Sequence, residues 1–194
     1  MSEREAAARH FSSGPEAPAE LYRDPHWFAC RTRHRSERKV SELLTGGGIE
    51  TYLPLVERER RWSDRKTRVG FPLFPGYVFA RFALGRIHEV LRLPAVSTVV
   101  RPNGYPTPVR PEELESVRRM TEGVNETGTV PTPEDYLTPG VEVVVIDGPF
   151  EGMRGILLES KGHSRVAIRI RALRQATSVE VPRGTVAPAQ PMAT

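Results

Sequence analysis

The sequence of 194 residues contains a single cysteine, Cys30. One cysteine cannot form a disulfide within the chain, and it excludes the four-cysteine zinc sites of zinc ribbons. A chain without disulfides suits a reducing compartment, so we expect a cytoplasmic protein.

Long apolar runs are also missing. No stretch approaches the roughly 20 apolar residues that a membrane-spanning helix needs, and only 38% of the residues are hydrophobic. The opening segment lacks the apolar core of a signal peptide, so we expect neither export nor a membrane partner. Residues 1–23 show no helix or strand period, which predicts a disordered tail, and residues 189–194 form a second tail.

Catalytic signatures are absent from the sequence. It contains no glycine-rich phosphate loop, no nucleophile elbow and no histidine pair at metal-ligand spacing. The five histidines are scattered over the chain. We therefore predict no catalytic residue, no metal site and no cofactor, and we expect that the protein is not an enzyme.

Positive charge is present in excess, and it is clustered. The formal net charge is +4 at pH 7, and the basic residues crowd into residues 31–39 and 58–68. Such clusters either attract phosphate backbones or form an ordinary solvated face. Trp62 offers a stacking surface or packs on its own hairpin. The candidate nucleic-acid-binding residues are Arg33, Arg35, Arg38, Arg61, Trp62, Arg65 and Lys66.

Hydrophobic periodicity predicts a first folded part over residues 24–121. The order of its elements is β-α-β-β-α-β-α, which indicates an α+β domain with an antiparallel sheet and flanking helices. The charged segment 57–68 is predicted to belong to a long hairpin with a basic tip. The last helix begins at Pro111, which suits a first helical position, and is predicted to end before Thr121.

The rest of the chain predicts a linker and a second domain. Residues 122–137 are rich in Gly, Asn, Thr and Pro, so we expect a flexible linker with no apolar surface to hold the two parts together. Residues 138–188 contain four or five short β-rich runs, which indicate a small β-barrel. Gly148 and Gly155 are expected to take positive φ at its turns, with Phe150 against the barrel between them.

Two segments resemble the NusG family of bacterial transcription elongation factors. Leu73–Phe79 is similar to the Phe-Pro-Gly-Tyr signature of the family's N-terminal domain, and Asp147–Gly155 is similar to the KOW motif of its C-terminal domain. They occur in the family's order and fall in elements that the periodicity predicts. The resemblance implies an NGN domain followed by an SH3-like KOW barrel. Trp27–Lys39 and Trp62–Lys66 look more like the specialised paralogues of the UpxY and RfaH type.

The resemblance implies a monomeric factor that binds RNA polymerase and modulates pausing or termination on selected operons. In the family, the positions of Phe74 and Tyr77 belong to the depression that receives the clamp helices of the largest polymerase subunit. The expected polymerase-binding residues are Leu73, Phe74, Pro75, Gly76 and Tyr77. Without the resemblance, filling the core would be the simpler role for both aromatic residues. The basic clusters would face upstream DNA or the non-template strand.

The family's C-terminal barrel binds its partners near the segment that matches Ala172–Thr177. Leu173 keeps the apolar position, so ribosomal protein NusE or the termination factor Rho are its implied partners, although Arg174 and Gln175 depart from the family's Gly-Arg. The motif residues Gly148, Phe150 and Gly155 are expected to be structural. The alternative function is a ribosomal or other RNA-binding KOW protein, since residues 161–174 are basic.

Overall fold

The computed structural model describes residues 17–62, 65–160, 163–182 and 184–189. Of residues 60–62, 65–66, 159–160 and 163 it describes the backbone and not the side chain. Residues 1–16 and 190–194 of the two predicted tails lie outside the described residues. Residues 17–23, predicted as disordered, instead contain a short helix with Leu21 buried. No helix within the described residues is both long and apolar enough to cross a membrane.

The chain forms two sheets, a hairpin and four helices within the described ranges. The N-terminal elements are α1 (Glu20–Arg23), β1 (His26–Thr32), α2 (Glu37–Gly46), β2 (Glu50–Tyr52), β3 (Leu55–Trp62), β4 (Arg65–Pro72), β5 (Tyr77–Phe82), a 3-10 turn (Leu84–Arg86), α3 (Ile87–Leu91), β6 (Val96–Val99), β7 (Pro108–Val109) and α4 (Pro111–Thr127). The C-terminal elements are β8 (Thr132–Glu134), β9 (Val141–Val145), β10 (Arg154–Ser160), β11 (His163–Ile170), β12 (Gln175–Val181) and β13 (Val186–Pro188).

The N-terminal sheet has the order β2-β5-β1-β6, and β7 also pairs with β1. All of its pairings are antiparallel. Side chains of β1 alternate between its two faces, as a strand requires. Phe28 and Cys30 lie in a core with Val40 of α2, whereas Ala29 lies in a core with Val117 of α4. The predicted α+β class is confirmed.

Strands β3 and β4 form a separate two-stranded hairpin, paired from Leu55 with Pro72 to Trp62 with Arg65. Residues 63 and 64 at its predicted tip lie outside the described residues. Asn125 of α4 holds the hairpin, because its side-chain oxygen accepts from the Glu57 N–H at 2.8 Å and its amide donates to the Leu55 carbonyl at 3.0 Å. One amide side chain thus satisfies both polar groups that a neighbouring strand would have paired.

Helix α4 runs to Thr127, past the end before Thr121 that the sequence predicts. Gly128 follows the helix with a φ of 73°. A residue with left-handed backbone angles, most often glycine, is common directly after a helix. Val124 explains the extra length, because it is buried in the core and extends the apolar face of the helix. The segment predicted as a linker therefore contains residues 122–127 of α4 and strand β8. The domain boundaries themselves stay a prediction.

The C-terminal sheet has six antiparallel strands in the order β13-β9-β10-β11-β12-β8. This confirms a small β domain after the linker. Within the described residues the pairings form an open path, with β8 of the predicted linker at one edge. Glu134 anchors β8, because its carboxylate accepts from the Ser178 hydroxyl at 2.8 Å and lies 3.1 Å from Arg165.

One hydrophobic cluster joins the two domains, which the sequence did not predict. It contains Val117 and Val124 of α4 together with Val143, Phe150 and Ile168 of the C-terminal domain. The expectation of a linker between parts that share no apolar surface is therefore wrong for the structure described. The reason lies in α4, because its buried half packs on the N-terminal sheet through Val117 and contacts Phe150 of the C-terminal domain at Gly123.

Candidate functional site

Residues 73–77, predicted to bind polymerase, form a tight turn between β4 and β5. The Tyr77 N–H donates to the Phe74 carbonyl at 3.2 Å, and Gly76 has a φ of 84°. A proline in the second position and a glycine with positive φ in the third are typical of a type II turn. Pro75 and Gly76 therefore set the direction in which the neighbouring aromatic residues leave the turn.

Glu37 of α2 fixes this turn, and sequence reasoning missed it. The Gly76 N–H donates to Glu37 Oε1 at 2.7 Å, while the Gly76 carbonyl accepts from the Thr32 N–H at 2.8 Å. Only 8% of Glu37 is exposed, so its carboxylate serves the turn rather than the solvent. An acidic residue in the first turn of a helix is ordinary, and nothing in the local pattern marks Glu37.

Phe74 and Tyr77 have different surroundings. Phe74 is 3% exposed and contacts Phe79 edge-on, with ring centroids 6.0 Å apart. Tyr77 and Leu73 are half-buried against the same cluster. Phe74 thus has the core role that composition favours, and the turn leaves Tyr77 partly accessible to a partner.

Two further aromatic residues, Trp27 and Tyr52, lie half-buried on the same face. Tyr52 stacks on Phe79 with centroids 6.3 Å apart. The guanidinium of Arg118, on α4, lies 5.1 Å from the Tyr52 ring centroid and 5.9 Å from that of Trp27, within cation–π range. Burial raises the pKa of the Tyr52 hydroxyl. Neither aromatic residue was predicted, because each reads as an ordinary strand residue.

The first basic cluster lies beside the turn. Arg33, Arg35 and Arg38 are exposed, Arg35 has a left-handed φ of 54°, and Arg38 donates to the Gly70 carbonyl of β4 at 3.3 Å. Arg35, Arg38 and Tyr77 all line one cavity of about 760 Å³. The structure therefore brings the first basic cluster and the predicted polymerase-binding turn together.

The second basic cluster belongs to the hairpin. Arg61 pairs with Lys66, and Trp62 pairs with Arg65, in the β3–β4 register. Their side chains lie outside the part of the chain that the structure describes. The predicted roles of these four residues in nucleic-acid binding remain predictions.

The KOW-like residues fall into different roles. Gly148 has a φ of 87°, as a turn requires. Gly155 instead lies within β10, where an added Cβ would sit 2.5 Å from the Ala167 carbonyl oxygen, so close approach of β11 rather than positive φ requires glycine. Phe150 lies on α4 at Gly123, where sequence reasoning expected a contact within the barrel.

Leu173 lies in a turn between β11 and β12, half-buried against the shared cluster. Its neighbour Arg174 has a left-handed φ of 52°. Gln175 lines the same cavity as Pro75 and Tyr77. The two surfaces that the sequence predicts for different partners therefore meet each other in this structure.

The chain is similar to known proteins over most of its length. The family model described as "Transcription termination factor nusG" matches residues 25–118. The "Transcription termination/antitermination protein NusG" of Pseudomonas aeruginosa is 30% identical over 149 residues, which cover 75% of this chain and 78% of that protein. The chain belongs to the NusG family. Membership favours a role in transcription over the ribosomal alternative.

Other members show similar coverage. The NusG protein of Escherichia coli K12 is 29% identical over 152 residues, or 76% of this chain and 78% of that protein. The Helicobacter pylori protein is 27% identical over 168 residues, or 80% and 93%. A solved structure described as "Domain interaction in Thermotoga maritima NusG" matches with a TM-score of 0.47 and 25% identity, over 86% of this chain and 98% of that one.

The Glu37 contact generates a test of the turn. In Glu37→Ala the Gly76 N–H loses its carboxylate partner, a loss typically worth about 1–3 kcal/mol. We expect faster hydrogen exchange at the Gly76 amide with the fold retained. Glu42→Ala is the matched control, since Glu42 is an exposed glutamate on the same helix. Equal exchange at Gly76 in both variants would contradict the anchoring role of Glu37.

Proposed function

We propose that this NusG-family protein is an elongation and antitermination factor that binds RNA polymerase through the aromatic face of its N-terminal domain. The observation that carries the proposal is the grouping of half-buried Trp27, Tyr52 and Tyr77 around the buried pair Phe74 and Phe79. Tryptophan and tyrosine are enriched among the residues that dominate binding energy at interfaces. A rigid face of this kind suits an apolar helical partner, such as the clamp helices of the largest polymerase subunit.

Within this face, Tyr77 is the contact residue and Phe74 is its support. A half-buried ring with a hydroxyl can lose further water on binding, whereas a ring that is already buried gains little additional contact. The turn at Pro75 and Gly76, held by Glu37, keeps Tyr77 in place. Because Tyr77 is already held in place, binding costs less side-chain entropy, which favours affinity.

Nucleic acid is the second proposed partner. Arg35 and Arg38 line a cavity that adjoins the proposed polymerase-binding face. The strands of the β3–β4 hairpin carry three further candidate residues, Arg61, Trp62 and Lys66. Phosphates of upstream DNA or of the non-template strand would attract these charges, and a base would stack on Trp62. The opposing hypothesis is that the charges steer the domain to acidic surfaces of polymerase.

The C-terminal domain would bind NusE or Rho through the turn at Leu173. Leu173 is apolar and only half-buried, which suits a contact residue. Action on selected operons, as in the specialised paralogues, is part of the same proposal and rests on the resemblance of the segments around Trp27 and Trp62.

Replacing Tyr77 tests the polymerase-binding face. Tyr77→Ala removes an anchor worth about 2 kcal/mol, so we expect roughly 30-fold weaker binding to core polymerase in a titration. Tyr22→Ala is the matched control, because Tyr22 is 49% exposed and precedes the N-terminal sheet on α1. Wild-type affinity in a folded Tyr77→Ala variant would remove this face from the interface.

Salt dependence tests the nucleic-acid contacts. If Arg61 and Lys66 each contact a phosphate of single-stranded DNA, then Arg61→Ala combined with Lys66→Ala should reduce the slope of log K against log salt by about 1.4. Binding to a paused elongation complex would be measured between low and high salt. Arg23→Ala with Arg92→Ala makes the same charge change at two other exposed arginines. Identical slopes for the two double variants would favour the steering hypothesis.

A further inference from the structure

Strand β8 attaches the segment between the two domains to the edge of the C-terminal sheet. It pairs antiparallel with β12, with Thr132 opposite Ser178 and Glu134 opposite Ala176. The pairing is short, and Pro133 in its middle has no N–H, so β8 can donate at most two backbone hydrogen bonds to β12. Since each such bond contributes little net stability, backbone pairing alone holds this edge strand weakly.

The side chain of Glu134 adds two charged contacts to the pairing. Its carboxylate accepts from the Ser178 hydroxyl at 2.8 Å and lies 3.1 Å from the Arg165 guanidinium of β11. The Glu134 and Arg165 side chains are 18% and 23% exposed, so salt screens this pair less than a surface pair. Hydrogen bonds to a charged group are also stronger than neutral ones. The pairing of β8 therefore depends mainly on Glu134.

A second carboxylate is available to Arg165 when β8 leaves the sheet. Glu180 of β12 lies directly opposite Arg165 in the β11–β12 register and is exposed. Side chains directly opposite on antiparallel strands have Cβ atoms about 4.5–5.5 Å apart, close enough to pair their charges. Arg165 can therefore exchange Glu134 for Glu180, and release of β8 does not leave its guanidinium without a carboxylate.

The pairing of β8 determines how much free chain connects the two domains. While β8 is paired, residues 128–131 lie between the end of α4 and the C-terminal sheet. When β8 is released, the free segment is residues 128–137, because the Thr138 carbonyl accepts from Arg169 of β11 and stays attached. At about 3.5 Å per extended residue, the longest possible span grows from about 14 Å to about 35 Å.

We propose that β8 is a releasable clip that sets the reach of the C-terminal domain. The paired clip keeps the C-terminal domain close to the end of α4, and the released clip gives it a tether more than twice as long. Exchange of Arg165 between Glu134 and Glu180 makes the release reversible. The use of this reach while the N-terminal domain stays on polymerase rests on the proposed function, whereas the clip itself does not.

Two substitutions should shift the clip in opposite directions. Glu134→Ala removes both charged contacts of β8, so the released state should become about tenfold more populated. Glu180→Ala removes the carboxylate that receives Arg165 after release, so the released state should become about threefold rarer. Glu151→Ala is the matched control, because Glu151 is an exposed glutamate of the same domain.

Amide hydrogen exchange of the full chain measures release without polymerase. In peptides that contain residues 132–134 and 176–178, exchange should be about tenfold faster in Glu134→Ala and about threefold slower in Glu180→Ala. Cleavage by chymotrypsin after Tyr136 should follow the same order, because proteolysis tracks the population of an open segment that recloses quickly. Glu151→Ala should match the parent in both measurements.

A disulfide can hold the clip shut. Pro133 and Thr177 are opposite each other in the β8–β12 register, and opposite Cα atoms of an antiparallel pair are about 4.5–5.5 Å apart, within the range of a disulfide. In Pro133→Cys with Thr177→Cys, cleavage after Tyr136 should be slow in the oxidised protein and faster after reduction. The native Cys30 is buried and its thiol pKa is raised to about 12, so it should not interfere.

The outcomes separate the parts of the proposal. Opposite shifts in Glu134→Ala and Glu180→Ala, with cleavage of the disulfide variant only after reduction, support the clip. Equal exchange in Glu134→Ala and Glu151→Ala overturns it. Faster exchange in both Glu134→Ala and Glu180→Ala overturns the exchange of Arg165, and equal cleavage of the oxidised and reduced disulfide variant overturns the longer tether. Failure of the chain to bind polymerase contradicts the proposed function alone, because none of these measurements uses polymerase.

Discussion

Helix α4 has to satisfy two neighbours at once, and the arrangement of the molecule depends on it. Leu114 and Val117 are buried in the core beneath the N-terminal sheet, while Gly123 receives Phe150 from the C-terminal domain. A helix that packs against two domains cannot leave its buried polar side chains unpaired without cost. Thr121 accordingly donates to the Val117 carbonyl at 2.7 Å, and Ser116 accepts from the C-terminal domain.

The same helix organises the proposed binding face. Arg118 lies over Trp27 and Tyr52, and Asn125 holds the first residues of the β3–β4 hairpin. These contacts place the aromatic residues, the basic hairpin and the C-terminal domain relative to one element. A change in the packing of α4 would therefore shift the residues of the proposed polymerase surface and of the proposed nucleic-acid surface together.

Local chemistry was predictable from the sequence, and long-range contacts were not. The turn at Pro75 and Gly76 agrees with the local chemistry of these two residues, because proline fixes φ and glycine accepts positive φ. The β-rich runs after residue 138 predicted strands, and the structure has strands there. The sequence did not predict the roles of Glu37, Trp27 and Arg118. Each of these residues contacts a partner on another element, and no local sequence pattern depends on such a contact. Gly155 was misread because a glycine that permits close approach looks, in sequence, like one that permits a turn.

The end of α4 and the docking of the domains share one explanation. Residues 122–127 have a composition that fits a linker, and their helix is stabilised by burial of Val124 and by the contacts of Asn125. Gly123 reads as a helix breaker in isolation, yet it lies where Pro149 and Phe150 of the C-terminal domain leave no room for a Cβ atom. Tertiary packing has here overridden intrinsic propensity.

A nuclear Overhauser spectrum of the full chain tests most directly whether α4 joins the two domains. With Phe150 on Gly123, we expect cross-peaks between the Phe150 ring protons and the Gly123 α-protons. Cross-peaks from Phe150 to its own domain alone, with none to α4, would contradict the docking of the C-terminal domain on this helix.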